Sequence, residues 1–274
     1  MKKSAWRAPR TNSQRNYPMY CWWVAALSTE GERAPFIWIY LGDPDALTAV
    51  PAAPVLPWTD DPSFSVICGR IDMAANFMLL KENVLDLTHF GYVHASTFKI
   101  TDWVDPPKVA VEGDNVTFSQ SFVGGPLPPP FAAALGVPPG TPFNRENYGS
   151  FISPALQVAA VDFIDPRAVD SQAIAGRFRV AHATTPISGT SMLHYYALGR
   201  DHGTSPQLMQ GFEALSKVGF DEDKCILEAI QAARLKDPRD PAEWEVSVKC
   251  DAAGVQARRA LARWMERETD GTAA

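Results

Sequence analysis

Twelve consecutive residues constrain this chain more than any other stretch: Asn83-Val84-Leu85-Asp86-Leu87-Thr88-His89-Phe90-Gly91-Tyr92-Val93-His94. They hold two of the five histidines, a carboxylate and an amide within an apolar run. Asn83, Asp86 and His89 are spaced three apart and would lie along one side of a helix. Ionisable groups set among Val84, Leu85, Leu87, Phe90 and Val93 need partners or a metal. His94 follows His89 by five, a step that an ideal helix turns away. Gly91 between them predicts that the helix ends or unwinds there, so that both imidazoles converge. The plain alternative is a pair of core histidines satisfied by hydrogen bonds. Two neutral imidazoles with one distant carboxylate make, by contrast, the ligand set of a non-haem iron(II) site with open positions.

The remainder of the chain has to bury that segment. Its 274 residues, 46% of them hydrophobic, suffice for one large domain or a domain with appendages. A formal net charge of −6 and the lack of a basic stripe argue against nucleic acid as a partner. No apolar run is long enough to span a bilayer. Residues 1–16 are basic and polar with no apolar core behind them; they read as a disordered or tag-like lead and not as a secretory signal. Cys21, Cys68, Cys225 and Cys250 form no CxxC pair. That spacing fits a reduced, cytoplasmic setting and leaves zinc without thiolate ligands.

Residues 44–63 are rich in proline and acidic groups and read as a linker or a surface-hugging loop. A strand over 65–80 runs into the motif helix. Residues 109–118 form a hairpin around Gly113-Asp114-Asn115. The Pro- and Gly-rich stretch 124–142, with an apolar patch at 131–135, reads as a surface loop or a flexible lid. Three further strands are expected over 156–163, 173–183 and 191–199. After Pro206 the period becomes helical, with Met209, Phe212, Leu215 and Val218 at helix spacing. Residues 223–235 continue as helix with Ile226, Leu227 and Ile230 on one face, and 255–267 form a last amphipathic helix. Strands followed by helices predict an α+β fold, an antiparallel sheet wrapped over a long helix.

The extended phrase Asn76-Phe77-Met78-Leu79-Leu80-Lys81-Glu82-Asn83-Val84-Leu85-Asp86-Leu87-Thr88-His89, closing on Tyr92-Val93-His94, resembles the iron-binding signature of Rieske non-haem iron oxygenases. It is most similar to the vanillate O-demethylase and dicamba monooxygenase branch. The resemblance implies a helix-grip (Bet v 1-like) fold with a ligand cavity between sheet and helices, and iron(II) held by His89, His94 and a carboxylate. Phe220-Asp221-Glu222-Asp223-Lys224-Cys225-Ile226-Leu227-Glu228-Ala229-Ile230 resembles the acidic start of the family's C-terminal helix and carries Asp223 over as that carboxylate. Asp221 and Glu222 are the competing choices, and acids that merely favour a helix dipole are the plain reading. The family's counterpart of Asp86 bridges to the Rieske centre of a neighbouring subunit. Here Asp86 is expected to orient an imidazole, and Asn83 to hydrogen-bond near the open iron face. His182 resembles the pocket histidine of the dicamba branch and is expected beside the substrate, with a core histidine bonded to backbone as the equal alternative. Gln157 is a further pocket candidate. His194 and His202 are expected to be structural or exposed.

Tyr20-Cys21-Trp22-Trp23-Val24-Ala25-Ala26-Leu27 and Phe36-Ile37-Trp38-Ile39-Tyr40-Leu41-Gly42-Asp43-Pro44 resemble phrases that in the family flank the Rieske domain. That domain binds a [2Fe–2S] cluster through Cys-x-His and Cys-x-x-His pairs. This sequence has neither pair and no histidine before His89. The expected organisation is an N-terminal extension over 1–34, a linker segment over 35–63 and a catalytic domain over 64–270. The expected activity is oxygenation or O-demethylation of a small aromatic substrate at Fe(2+), with no [2Fe–2S] cluster in this chain and with electrons from a separate reductase and iron–sulfur protein. The family trimer would be weakened. The alternative is a non-catalytic ligand-binding or regulatory relic.

Overall fold

The computed structural model describes residues 22–27, 35–42, 52–98, 100, 102, 105–170, 173–239 and 245–269. The lead over 1–16 and residues 44–51 of the proline-rich stretch 44–63 lie outside the described residues. Strands β1 (Trp22–Leu27) and β2 (Phe36–Tyr40) pair as an antiparallel ribbon. The main sheet has seven antiparallel strands: β3 (Ser65–Met73), β4 (Lys108–Glu112), β5 (Asn115–Pro126), β6 (Pro142–Phe151), β7 (Leu156–Ile164), β8 (Ile174–Ser188) and β9 (Ser191–Arg200). Their order across the sheet is β3-β9-β8-β7-β6-β5-β4. The chain meanders from β4 to β9 between adjacent antiparallel strands, with one short helix set into the β5–β6 connection, and its first strand lies beside its last. The β4–β5 turn is made by Gly113 and Asp114, with Gly113 at φ 58°, the left-handed conformation that a two-residue hairpin demands.

One strand departs from the sequence reading. β6 contains Asn144, Arg145, Glu146 and Asn147, none of which favours a strand locally. It is paired on both edges, by β5 and β7, and its alternate residues Phe143, Arg145, Asn147 and Phe151 are buried. Stretch 124–142 also contains more order than a loop. α3 (Pro129–Leu135) opens with proline at its first turn and closes on Gly136 at φ 68°, the pairing of a helix start and stop that these residue types favour.

α1 (Phe77–Leu85) runs beneath the sheet. Asn76 caps it, accepting from the Met78 amide at 2.9 Å. Seven of its residues are buried, Phe77, Met78, Leu79, Leu80, Lys81, Val84 and Leu85, because it is covered on its other side by α5 (Ala252–Thr269). The facing stripe of α5 is Ala253, Ala257, Ala260 and Trp264, and three alanines in a row let the two helix backbones come close. Arg263 Nε to Asp114 Oδ1 at 2.8 Å ties α5 to the β4–β5 turn.

α4 (Pro206–Lys236) is a single helix of 31 residues. Ser205 caps it and Pro206 begins it. Its buried stripe is Ser216, Gly219, Phe220, Asp223, Leu227 and Gln231. The face expected from Ile226, Leu227 and Ile230 is therefore only partly right, since Ile226 and Ile230 are 42% and 39% exposed. Periodicity of apolar residues misplaced the face because four of the six residues of the true stripe are polar or glycine. The sheet, α1 and α4 enclose a cavity that Ser216, Gly219 and Asp223 line, while Gln231 accepts from the Asn76 amide at 2.9 Å.

Candidate metal centre

The chain break that shapes the site falls at Asp86, not at Gly91. α1 stops at Leu85, and Asp86 takes extended dihedrals, φ −120° and ψ 99°. A 3₁₀ turn follows at Leu87–His89, then the short helix α2 (Phe90–Val93), with Gly91 inside it. The Asp86 carboxylate starts this turn by accepting from Thr88 N at 2.9 Å and Thr88 Oγ1 at 2.7 Å. It is thus occupied as a cap. The imidazole of His89 is oriented instead by the Asp86 backbone carbonyl, 2.5 Å from Nδ1. This corrects the expectation that the Asp86 side chain would hold an imidazole.

Because a carbonyl only accepts, His89 Nδ1 carries the proton and Nε2 is left bare. His94, 1% exposed, makes the parallel arrangement with a carboxylate: its Nδ1 lies 2.8 Å from Glu222 Oε2. Glu222 also accepts from Ser96 Oγ at 3.1 Å and from the Thr97 hydroxyl. Both Nε2 atoms then point at one oxygen, Asp223 Oδ1, at 3.7 Å from His89 and 3.2 Å from His94. Asn83 Nδ2 donates to the same oxygen at 2.9 Å. Ligand atoms of His89, His94 and Asp223 all lie within 4.8 Å of one another. Of the competing acids, Asp221 is exposed and Glu222 is turned to the far side of His94.

The electrostatics follow from burial and these contacts. Burial dominates at His89 and lowers its pKa despite the nearby Asp223 carboxylate. Burial also opposes charge on His94, but hydrogen bonds and charges from Asp223 and Glu222 outweigh it and raise its pKa. Burial would raise Asp223, yet the His94 and His89 imidazoles and Asn83 hold it below the usual carboxylate range.

The cluster forms one wall of a cavity of about 110 Å³. Apolar walls come from Val84, Leu87, Phe90, Phe98, Phe178 and Phe220, among others. Gly219 matters here, because a Cβ at that position would lie 2.6 Å from the Phe98 ring, which closes one side. His182 lines the cavity from β8. Its Nδ1 is 3.1 Å from Nε2 of His194 on β9, so neither histidine is bonded to backbone. Gln157 is the opposite case: fully buried, it donates to the Leu80 carbonyl at 3.4 Å and does not line the cavity. His202 lies beside Asp201, Nδ1 to Oδ1 at 3.2 Å. Sequence reasoning missed the contact partner of His182, although the hairpin register of β8 and β9 carries the signal: His182 is opposite Tyr196 and His194 opposite Thr184, so the two are diagonal neighbours.

A sheet gripping a long helix, with two histidines and an aspartate converging at the wall of an apolar cavity, is a helix-grip fold with a candidate metal centre. Residues 73–267 match the vanillate O-demethylase oxygenase C-terminal domain. The chain is 31% identical over 251 residues to the vanillate O-demethylase oxygenase subunit of Pseudomonas sp. (strain ATCC 19151), covering 86% of this chain and 73% of the relative. In fold it resembles dicamba monooxygenase bound to 3,6-dichlorosalicylic acid, with a TM-score of 0.74 at 22% identity over 85% of this chain and 68% of that one. Dicamba monooxygenase with non-haem iron and dicamba superimposes with a TM-score of 0.66 at 22% identity, over 88% and 68%. The chain belongs to the vanillate O-demethylase oxygenase family, oxidoreductases of the Rieske non-haem iron class.

Proposed function

We propose that this chain is the iron-bearing half of an oxygenase that hydroxylates or O-demethylates a small aromatic compound. The observation that carries the reading is the convergence of three ligand atoms from His89, His94 and Asp223 at the wall of an apolar cavity. The donor set suits iron(II): two imidazoles and one carboxylate, with no thiolate. Nε2 of His89, Nε2 of His94 and Oδ1 of Asp223 would hold the ion. Iron(II), when bound, supplies the one-electron chemistry that dioxygen requires.

The chain's own residues do the rest. Asp86 O and Glu222 fix both imidazoles by their Nδ1–H groups, which orients the Nε2 lone pairs and raises their basicity. Asn83 steadies Asp223 Oδ1. The phenylalanine walls exclude water and present ring edges and faces to an aromatic ligand. Metal analysis of the purified protein, with a single-turnover assay on aryl methyl ethers, tests the reading. Iron-loaded protein that forms no product when mixed with dioxygen and a reduced cluster-bearing electron donor, which supplies the electron that iron(II) alone lacks, counts against it.

Two expected results follow. His182→Ala should weaken binding of a small aromatic ligand about tenfold, the worth of about one hydrogen bond, and leave iron content unchanged. Equilibrium titration with parallel metal analysis checks both; loss of iron would move His182 to the metal centre instead. The second concerns electrons. With no Cys-x-His or Cys-x-x-His pair in the sequence, the purified protein should lack the visible absorption of a Rieske cluster. Steady turnover should then need a cluster-bearing protein as well as a reductase. Sustained turnover with NADH and a reductase alone would remove this account of electron supply. Among the described residues no helix is long and apolar enough to cross a membrane.

A further inference from the structure

The metal cluster occupies the helix wall of the cavity, while the sheet wall carries a polar pair that this role does not absorb. The His182 and His194 rings stack with centroids 5.2 Å apart and planes 14° apart. One proton lies between His182 Nδ1 and His194 Nε2, which are 3.1 Å apart. Its owner can be deduced. His194 is 0% exposed, and its Nδ1 has no hydrogen-bond partner among the described residues. A buried N–H without an acceptor is a rarer and costlier thing than a bare lone pair. The His194 proton therefore sits on Nε2 and points at His182 Nδ1. His182 must carry its own proton on Nε2, the one ring nitrogen left to face the cavity. Burial favours neutral rings: it outweighs the Asp223 carboxylate and, with Lys81, pushes His182 down to about 4, and together with His182 and Lys81 it holds His194 well below its ordinary value.

The rest of the lining offers nothing to an anion at that wall. No lysine or arginine lines the cavity among the described residues. Ser216 Oγ is committed to the Phe212 carbonyl at 2.8 Å, and the Tyr148 hydroxyl to Asp162 at 3.2 Å. Arg200 lines a separate space of about 20 Å³, room for a single water, and donates to the Gly203 carbonyl at 2.7 Å. A carboxylate pressed against the sheet wall would lose its hydration and gain one neutral donor.

We propose that His194 positions His182 as an uncharged N–H donor, and that the cavity consequently takes an uncharged aromatic ligand bearing an acceptor oxygen in preference to a carboxylate. This rests on the aromatic-cavity reading above and narrows it. It also sets the chain apart from relatives named for acids, vanillate and 3,6-dichlorosalicylic acid.

Anaerobic calorimetric titration of the iron(II)-loaded chain with veratraldehyde and with veratrate tests it, since the two differ only in aldehyde against carboxylate. The aldehyde should bind at least tenfold more tightly. Long-range proton–nitrogen correlation spectra of histidine-labelled protein should show His182 protonated at Nε2. His194→Phe keeps a stacked ring but removes the donor, so the Nε2–H form should lose its dominance and the tenfold preference should shrink. His194→Gln, whose amide N–H reaches the place of Nε2, should restore both. If His194→Phe does not fold, the wild-type ligand pair and spectra decide alone. Veratrate binding as tightly as the aldehyde, or a His182 protonated at Nδ1, overturns the proposal while leaving the aromatic cavity standing. Binding of neither ligand overturns both.

Discussion

Replacing Asp223 with alanine should yield a folded protein that no longer retains iron through gel filtration. Asp223 is the one oxygen donor of the cluster, approached by Nε2 of both imidazoles and steadied by Asn83. Its loss leaves two nitrogens that hold a divalent ion far more weakly. The fall in affinity should exceed the roughly 10–100-fold expected from removing an outer partner, which Glu222→Gln would supply for comparison. The fold should survive, because truncation strands only the Asn83 amide and the His94 imidazole, a cost of about 1–3 kcal/mol. Metal stoichiometry and circular dichroism read the two effects separately. Unchanged iron content in Asp223→Ala would transfer the ligand role to another carboxylate, Glu222 first.

Trp23→Ala should be the costliest single change away from the cavity, at about 3–5 kcal/mol. Trp23 is 0% exposed and meets Phe77 of α1 edge to face, ring centroids 5.9 Å apart. Its ribbon is stitched to the main sheet as well: Thr185 Oγ1 donates to the Val24 carbonyl at 2.7 Å and the Tyr195 hydroxyl to the Ala25 carbonyl at 3.1 Å. A loss of that size is a large part of the roughly 5–15 kcal/mol that holds a domain folded. Denaturant titration of the variant measures it. A loss below about 1 kcal/mol would be far too small for a tryptophan in a packed core, and would show that the ribbon is not part of that core.

Where local chemistry and tertiary packing agree, the sequence was readable. The Gly113-Asp114 hairpin, strands β7 to β9 and the onset of helix at Pro206 all carry their own signals. β6 was hidden because Asn144, Arg145, Glu146 and Asn147 are held in a strand by two neighbours and not by preference. The buried face of α4 was misjudged because a cavity wall needs Ser216, Gly219 and Asp223 where an ordinary core would have aliphatic residues. At the site, closeness of His89, His94 and Asp223 was legible through resemblance. The local geometry was not: Asp86 breaks the helix through its own side chain, a capping contact that spacing alone cannot distinguish from an imidazole contact. Gln157, expected in the pocket, turned out to satisfy a helix carbonyl. The partnership of His182 with His194 depends on strand register, which becomes known only once the β8–β9 hairpin is paired.

Asn83 and Asp223 are 140 residues apart along the chain. A cation shared by the turn after α1 and the middle of α4 is therefore a cross-link that closes a very long loop, and it can form only after the intervening strands are in order. Unfolded chains cannot bring the ligands together without paying that closure entropy. On the proposed function, metal occupancy and the folded population would be one coupled equilibrium, in which free iron would stabilise the fold by mass action and a chelator would destabilise it. With the ion bound as proposed, the centre would double as a proofreading clasp: a chain with an incomplete sheet would lack one side of the ligand set.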